Sequence, residues 1–428
     1  MSTSNILPGD INVASINLFS FAKNLSQEIS AQIDTIEIYE SVISPLLFAV
    51  FYVNDMINLH EKFPIRGEEW IEIKAQTPGI SRKNNFNLML RVIQKVNLST
   101  DSQGKSTQYK LIACSEEYQS NAKGIVSKTY NNTTIASMVS DIVTNSQFLN
   151  SKKNLSISGG ETRGGQTITI PNFSPLKAID FLRQRAVSEK YKTSIFLFYE
   201  TSEQFNFTTL EYLFEQGNKN NQNPIFFFDT IRNENLKLMD VEQTRNIISY
   251  KHIVSGDPVI SANRGGFRNQ VINHDIRTAT ITRVTTTKSE VSSKSNYGDK
   301  KAIHSSGSIT NDLENPFGID KVLFFTNSKK PQTYRELSIG ANKIYAEQFM
   351  QNIVRILVAG DTSLQAGQMV KIELPEFKGT TEDGNTMRKS KYTSGNYIIT
   401  KLRHTLYNRG KWQHRLVMEC AKGAFGNG

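Results

Sequence analysis

Apolar and polar positions alternate with a period of two along much of the chain, which predicts strands far more often than helices. Asp34-Thr35-Ile36-Glu37-Ile38-Tyr39-Glu40 has the pattern of a half-buried strand; Ser44-Pro45 breaks it, and Leu46 to Val53 continues as a more buried one. Phe63-Pro64-Ile65-Arg66-Gly67 reads as a turn before the strand Glu68 to Ile73, and Phe86 to Ile93 and Gln108 to Cys114 finish the sheet. Many short strands punctuated by turns predict a small closed or nearly closed barrel over residues 1–116.

The pattern changes over residues 117–240, an expected α+β unit. Ile135, Met138, Val139, Ile142 and Val143 fall at helical spacing behind the candidate caps Thr133 and Thr134. The Gly-rich stretch Ser156 to Gly165 reads as a mobile loop. Ser174 followed by Pro175 is a strong helix start, with Ile179, Leu182 and Ala186 on its buried face. Strands are expected at Ser194 to Tyr199 and Phe205 to Thr208. Within 241–350, Gln270 to Thr287 reads as one long β-run, 288–315 as a polar loop, and Leu337, Ala341, Ile344, Tyr345 and Gln348 as a helix. A second barrel is expected over 351–428, opened by Ile353 to Val358 and completed with part of 241–290. Within it, Lys378 to Lys391 reads as an exposed loop. The fold class is mainly β with α+β insertions.

The end of the chain repeats its beginning. Laying Cys420 on Cys114 puts, without a gap, Gly410-Lys411 on Gly104-Lys105, Val417 on Leu111, Leu402 on Val96, Lys401 on Lys95, and Ile398-Ile399 on Val92-Ile93. Each copy reads as a β-hairpin, and upstream of each a strand opens at a glycine, Gly67 or Gly367. The expectation is a duplicated barrel in which Ile93, Val96 and Leu111 are core counterparts of Ile399, Leu402 and Val417. Gly104 and Gly410 would sit in the hairpin turns, where positive φ suits glycine. Cys114 and Cys420 would occupy equivalent places, too far apart to bond.

Composition narrows the function. The 428 residues are enough for two to four domains. No apolar run approaches the roughly 20 residues of a membrane-spanning helix. Met1-Ser2-Thr3-Ser4-Asn5 lacks signal-peptide character, so folding in a cytoplasm is expected. The net charge of +10 raises a nucleic-acid reading, with a denser basic region at Lys371, Arg388, Lys389, Lys391, Lys401, Arg403, Arg409, Lys411 and Arg415. Strand alternation would split these between two faces, so solvated faces are the expectation.

Catalytic chemistry is not legible. Gly159 to Gly165 lacks the Gly-Lys-Ser/Thr ending of a phosphate loop. The six histidines show no zinc spacing, and His404 and His414 are expected as a solvent-facing cross-strand pair. Glu68-Glu69 and Glu116-Glu117 are adjacent on strands, so their carboxylates diverge. The two cysteines lie in apolar strands. No catalytic, metal or cofactor-binding residues are expected.

Three segments resemble the central baseplate hub protein of contractile-tailed bacteriophages. They are Ile36 to Phe48, continuing through Asn54-Asp55 to Phe63 through Glu69; Pro171 to Leu182 with Arg185-Ala186; and Gly360 to Gly367 with Ser394 to Ile399 and Arg403-His404. The last two also resemble the hub parts of spike proteins in contractile secretion systems. The resemblance implies a homotrimer carrying two tube-like barrels per subunit, so that six barrels adapt a threefold spike to the sixfold tail tube. It implies a virion protein of the tail baseplate, assembled in the host cytoplasm. Its partners would be the spike protein, the tail tube protein and neighbours of the wedge or tape-measure class, with DNA passing through the lumen. The spike and wall-degrading parts of fused relatives have no counterpart here. Two alternatives come from other classes: a tail-associated cell-wall hydrolase, and a nucleic-acid-binding tail protein.

Overall fold

The computed structural model describes residues 7–21, 24–59, 63, 65–78, 86–100, 106–191, 195–220, 223–228, 244–255, 258–276, 278–292, 321–327, 334–349, 352–376 and 389–422. The chain is mainly β, with its helices in insertions. The N-terminal strands are β1 (Asn12–Phe19), β2 (Ser26–Glu28), β3 (Ile33–Ser41), β4 (Phe48–Asp55), β5 (Trp70–Gln76), β6 (Phe86–Thr100) and β7 (Thr107–Cys114). The first insertion holds α1 (Glu117–Lys123), β8 (Val126–Thr133), α2 (Ile135–Thr144), β9 (Asn154–Ser156), β10 (Gln166–Phe173), α3 (Pro175–Arg183), β11 (Phe196–Glu200), β12 (Gln204–Thr209) and α4 (Leu210–Lys219). Then come β13 (Ile225–Phe227) and β14 (Ile247–Ser255), and a second insertion of α5 (Pro258–Asn263), β15 (Arg268–Asp275), β16 (Thr280–Thr287), α6 (Lys288–Ser292), β17 (Lys321–Asn327) and α7 (Tyr334–Phe349). The chain closes with β18 (Asn352–Ala359), β19 (Met369–Glu373), β20 (Gly395–Asn408) and β21 (Trp412–Lys422).

Thirteen strands form one continuous sheet, ordered β14-β18-β21-β20-β3-β4-β7-β6-β5-β1-β2, with β19 and β13 branching from β20. The sheet curls around two separate cores. Ile36, Ile38, Phe51, Ile73, Leu90 and Leu111 belong to the first, and Val354, Ile356, Ile372, Ile399, Met418 and Cys420 to the second. The bridge between Phe227 and Asn246 closes the second barrel.

The two barrels have the same strand order. In the first, β1-β5-β6-β7-β4-β3 are neighbours; in the second, β13-β19-β20-β21-β18-β14, and each set is used in the same chain order. One pairing differs in sense: β1 is antiparallel to β5, whereas β13 is parallel to β19. Irregularities coincide too. β6 bulges between Val92 and Gln94 against β7, and β20 between Ile399 and Lys401 against β21. β3 bulges between Ile33 and Thr35 against β4, and β14 between Ile247 and Ser249 against β18. The amide of Val92 donates to Glu69 O (2.8 Å) as that of Ile399 donates to Gln368 O (3.0 Å).

These marks set Ala113 against Cys420, Leu111 against Met418, and Val92 against Ile399. That frame is one residue away from the one the repeated letters suggest. A one-residue slip on a strand exchanges its two faces. In the observed frame both members of every pair are buried, whereas Ile93, Val96 and Val417 are only half-buried. The expected core pairs Ile93–Ile399, Val96–Leu402 and Leu111–Val417 are corrected accordingly.

The first insertion packs α2 and α3 over a core that includes Met138, Ile142, Ile179, Leu182, Phe205 and Phe207. Thr134 caps α2 by accepting from Ser137 N (3.3 Å). Pro175 opens α3, although the Ser174 side chain makes no cap bond. The Gly-rich stretch is packed at Gly159 and Gly160 and exposed from Arg163 to Gly165. A Cβ on Gly159 would lie 2.0 Å from Tyr212 Cγ, and one on Gly160 2.1 Å from Phe207 O.

The expected long run Gln270 to Thr287 is two strands, β15 and β16, which form a hairpin extended by β17 into a separate three-stranded sheet. The second barrel draws β14 from within 241–290 and β13 from the stretch read as the α+β unit. Residues 288–292 are a short helix; 293–320, 377–388 and Gly104-Lys105 lie outside the described residues.

Candidate functional site

Strand β20 belongs to both barrels. It pairs with β19 as far as Ile398, then from Lys401 to Tyr407 pairs antiparallel with β3 of the other barrel. This seam makes one sheet of two barrels, and several buried polar groups lie around it.

Glu40, near the end of β3, is buried and joins three parts of the molecule. Its Oε2 accepts from Ala366 N in the turn before β19, and its Oε1 from Ser202 N in the first insertion, each at 3.0 Å. Burial pushes its carboxyl up to about 7, against the pull of those two amides. Glu200, at the end of β11, is a second buried carboxylate. It accepts from Leu47 N (2.8 Å) and Ser115 Oγ (2.6 Å) and pairs with Lys153. Burial raises its pKa too, with the ammonium of Lys153 opposing. Together the two carboxylates staple the insertion to both barrels.

His404 and His414 are fully buried, correcting the expectation of a solvent-facing pair. Their rings stack 5.2 Å apart with Nδ1 of His404 3.1 Å from Nε2 of His414, and the Phe86 ring of the first barrel meets His404 edge-on at 4.7 Å. The Phe86 ring covers His404, and Gly360 packs against the ring of His414, on the face expected to be wet. Desolvation lowers both pKa values, that of His414 to about 3, so both rings are neutral.

The basic stretch is neutralised in part. Lys371 and Lys389 pair with Glu373, Lys401 and Arg355 with Glu419, Lys411 with Asp10, and Arg403 lies 3.5 Å from Glu37. Among the described residues these pairings interrupt the stretch as a track for a phosphate backbone. Arg388 lies outside the described residues.

Val92, Leu111, Ile398, Ile399 and Leu402 are buried. Gly67, Gly367 and Gly410 have φ of +94°, +87° and +82°. Gly67 stands two residues before Glu69 and Gly367 one before its counterpart Gln368, so the glycines are offset within matching turns. Cys114 and Cys420 are free and buried. They are not equivalent: Cys420 corresponds to Ala113 in the barrel core, while Cys114 points to the opposite face, where burial raises its thiol to about 12.

No group of three or more His, Cys, Asp or Glu side chains converges as a metal site among the described residues. Glu69 is used in its own turn, accepting from Arg66, Gly67 and Glu68 amides. Glu117 accepts from Ser151 Oγ. A shallow cleft beside the seam, between Asn206, Tyr199, Gln365 and Gln368, has Glu203 as its one lining carboxylate, which makes no acid pair. No helix among the described residues is long and apolar enough to cross a membrane.

Glu40 and Glu200 were not singled out from the sequence, yet both left a trace. Glu40 is in phase with Ile36 and Ile38 on the core face of its strand, and Glu200 with Phe196 and Phe198 on theirs.

No family model and no curated protein matches the chain. Solved structures do. A tail protein from Neisseria meningitidis MC58 is similar over 95% of this chain and 96% of its own, with a TM-score of 0.55 at 9% identity. The 43 kDa tail protein of prophage MuSo2 from Shewanella oneidensis is similar over 96% and 98%, with a TM-score of 0.53 at 11% identity. The likeness spans both barrels and both insertions, so this chain has the fold of phage tail proteins, as the resemblance of its sequence to the hub family implies.

Proposed function

We propose that this chain is a structural protein of a contractile phage tail, the central hub of the baseplate, and that its two barrels are copies of one unit. Three subunits in a ring would present six similar barrels, matching a threefold spike on one side to a sixfold tube on the other. DNA would cross the lumen, and the spike and tube proteins would be its neighbours. The chain would be a scaffold with no catalytic role, resident in the virion after assembly in the host cytoplasm.

The observation that carries this reading is the pair of barrels with one strand order, joined edge to edge into a single sheet. A subunit that repeats its own motif can satisfy a partner with twice its symmetry. The whole-length likeness to tail proteins supports it. The test is the mass of the purified protein by light scattering, alone and with its spike. Three times the 48.3 kDa of one chain is expected, and a persistent monomer or dimer refutes the reading.

A further inference from the structure

The internal seam predicts an external one. β20 of the second barrel pairs with β3 of the first, and their structural counterparts are β6 and β14. Both counterparts present an open edge among the described residues. β14 ends the sheet, touched beyond its start only by the bridge at Asn246. β6 is paired with β5 only as far as Arg91, so from Gln94 to Thr100 it has β7 on one side and no strand of the described residues on the other. Open edges are templates for another strand.

Burial shows what a partner would change. On the internal seam Thr405, Leu406, Ile36 and Ile38 are buried and Glu37 is half-buried. At the matching open positions Ser99, Thr100, Lys251 and His252 are exposed, and Tyr250 is half-buried.

We propose that β6 of one subunit pairs antiparallel with β14 of a second copy of this chain, in the register of the internal seam. Residue correspondence fixes that register. Ser99 opposite Gln108 matches Thr405 opposite Arg415, and Thr100 opposite Thr107 matches Leu406 opposite His414. On the other strand, Tyr250 and Lys251 match Ile36 and Glu37 through their partners on β18 and β4. Thr405 faces Glu37 and Leu406 faces Ile36, so Ser99 meets Lys251 and Thr100 meets Tyr250 of the neighbour. β14 has a further bulge between His252 and Val254, and the correspondence runs from Ile247 to His252. The contact is head-to-tail, and repeating it alternates the two barrels around a ring. The inference rests on the trimeric reading above and adds the strands and register that would close it.

The test is a pair of substitutions, Ser99→Cys with Lys251→Cys, under mild oxidation. Opposed residues of an antiparallel pair lie about 4.5–5.5 Å apart at Cα, within disulfide range. The control, Ser99→Cys with Ser249→Cys, is off register by roughly 7 Å along the strand. Expected are covalent dimers and trimers on a denaturing gel for the first pair, at least tenfold more than for the control, and native mass unchanged. A trimer that cross-links equally in both pairs, or in neither, overturns the proposed seam while leaving the trimer standing. A monomer overturns both.

Discussion

Replacing Glu40 with glutamine should reverse its effect on stability between acidic and neutral pH. The carboxyl is buried, with a folded-state pKa of about 7 against an unfolded value of 4.5. Because the folded value is the higher, the native state holds this proton longer than the unfolded chain does. The stability it contributes is complete below about pH 4.5 and is lost as pH rises through about 7. At 1.36 kcal/mol per pH unit, that loss is about 3 kcal/mol. In the variant, one side-chain oxygen still accepts a backbone amide, but the new NH2 group faces the other donor. Leaving one of the amides of Ser202 and Ala366 unpaired costs about 1–3 kcal/mol at every pH. Glu40→Gln should therefore be less stable than the wild type by about 1–3 kcal/mol near pH 4.5, and equal to it or more stable at pH 8. Urea unfolding of both proteins across this range measures the difference directly, with other titrating groups cancelling. A stability gap that stays constant from pH 4.5 to 8 would refute the reasoning.

Two glycines with similar backbone should respond differently. Gly410→Ala should lose about 1 kcal/mol, because φ is +82° and no atom lies within 4 Å of an added Cβ, whereas Gly159→Ala at φ +70° also drives Cβ into Tyr212 and should lose at least twice as much by thermal unfolding. His404 and His414 should not titrate between about pH 8 and pH 5. Their depressed pKa values mean the stability tied to neutral rings is present above about 6.5 and lost as pH falls towards 3, so an NMR-detected imidazole midpoint near 6.5 for either would contradict the burial described. Purified protein should turn over no peptidoglycan; activity that disappears on changing one carboxylate would show a catalytic site.

Strands with clean alternation were legible because one face is buried and the other wet; β3 and β7 fall where the pattern of Asp34 to Glu40 and Gln108 to Cys114 put them, while the strand expected over Glu68 to Ile73 starts only at Trp70. Helices α2 and α3 were legible from spacing and caps. The repeat was visible too, but its frame was not. Matching cysteines and Gly-Lys pairs drew the comparison one residue away from the frame set by bulges at Ile93 and Thr400, and bulges leave no reliable letter. The histidine pair was misplaced for a related reason: alternation tells that β20 has two faces, not that the face carrying His404 turns inward against Phe86. The short strand β13 gave no periodicity to read, being three residues long and held by its neighbours β19 and β14.

The central claim is a ring of barrels, and electron microscopy of the purified chain, alone and with its spike, tests it most directly. The account predicts threefold particles in which six similar densities surround an open channel, alternately the first and second barrel of successive subunits. Particles with one or two copies in both samples, or copies meeting through surfaces other than the barrels, would contradict it.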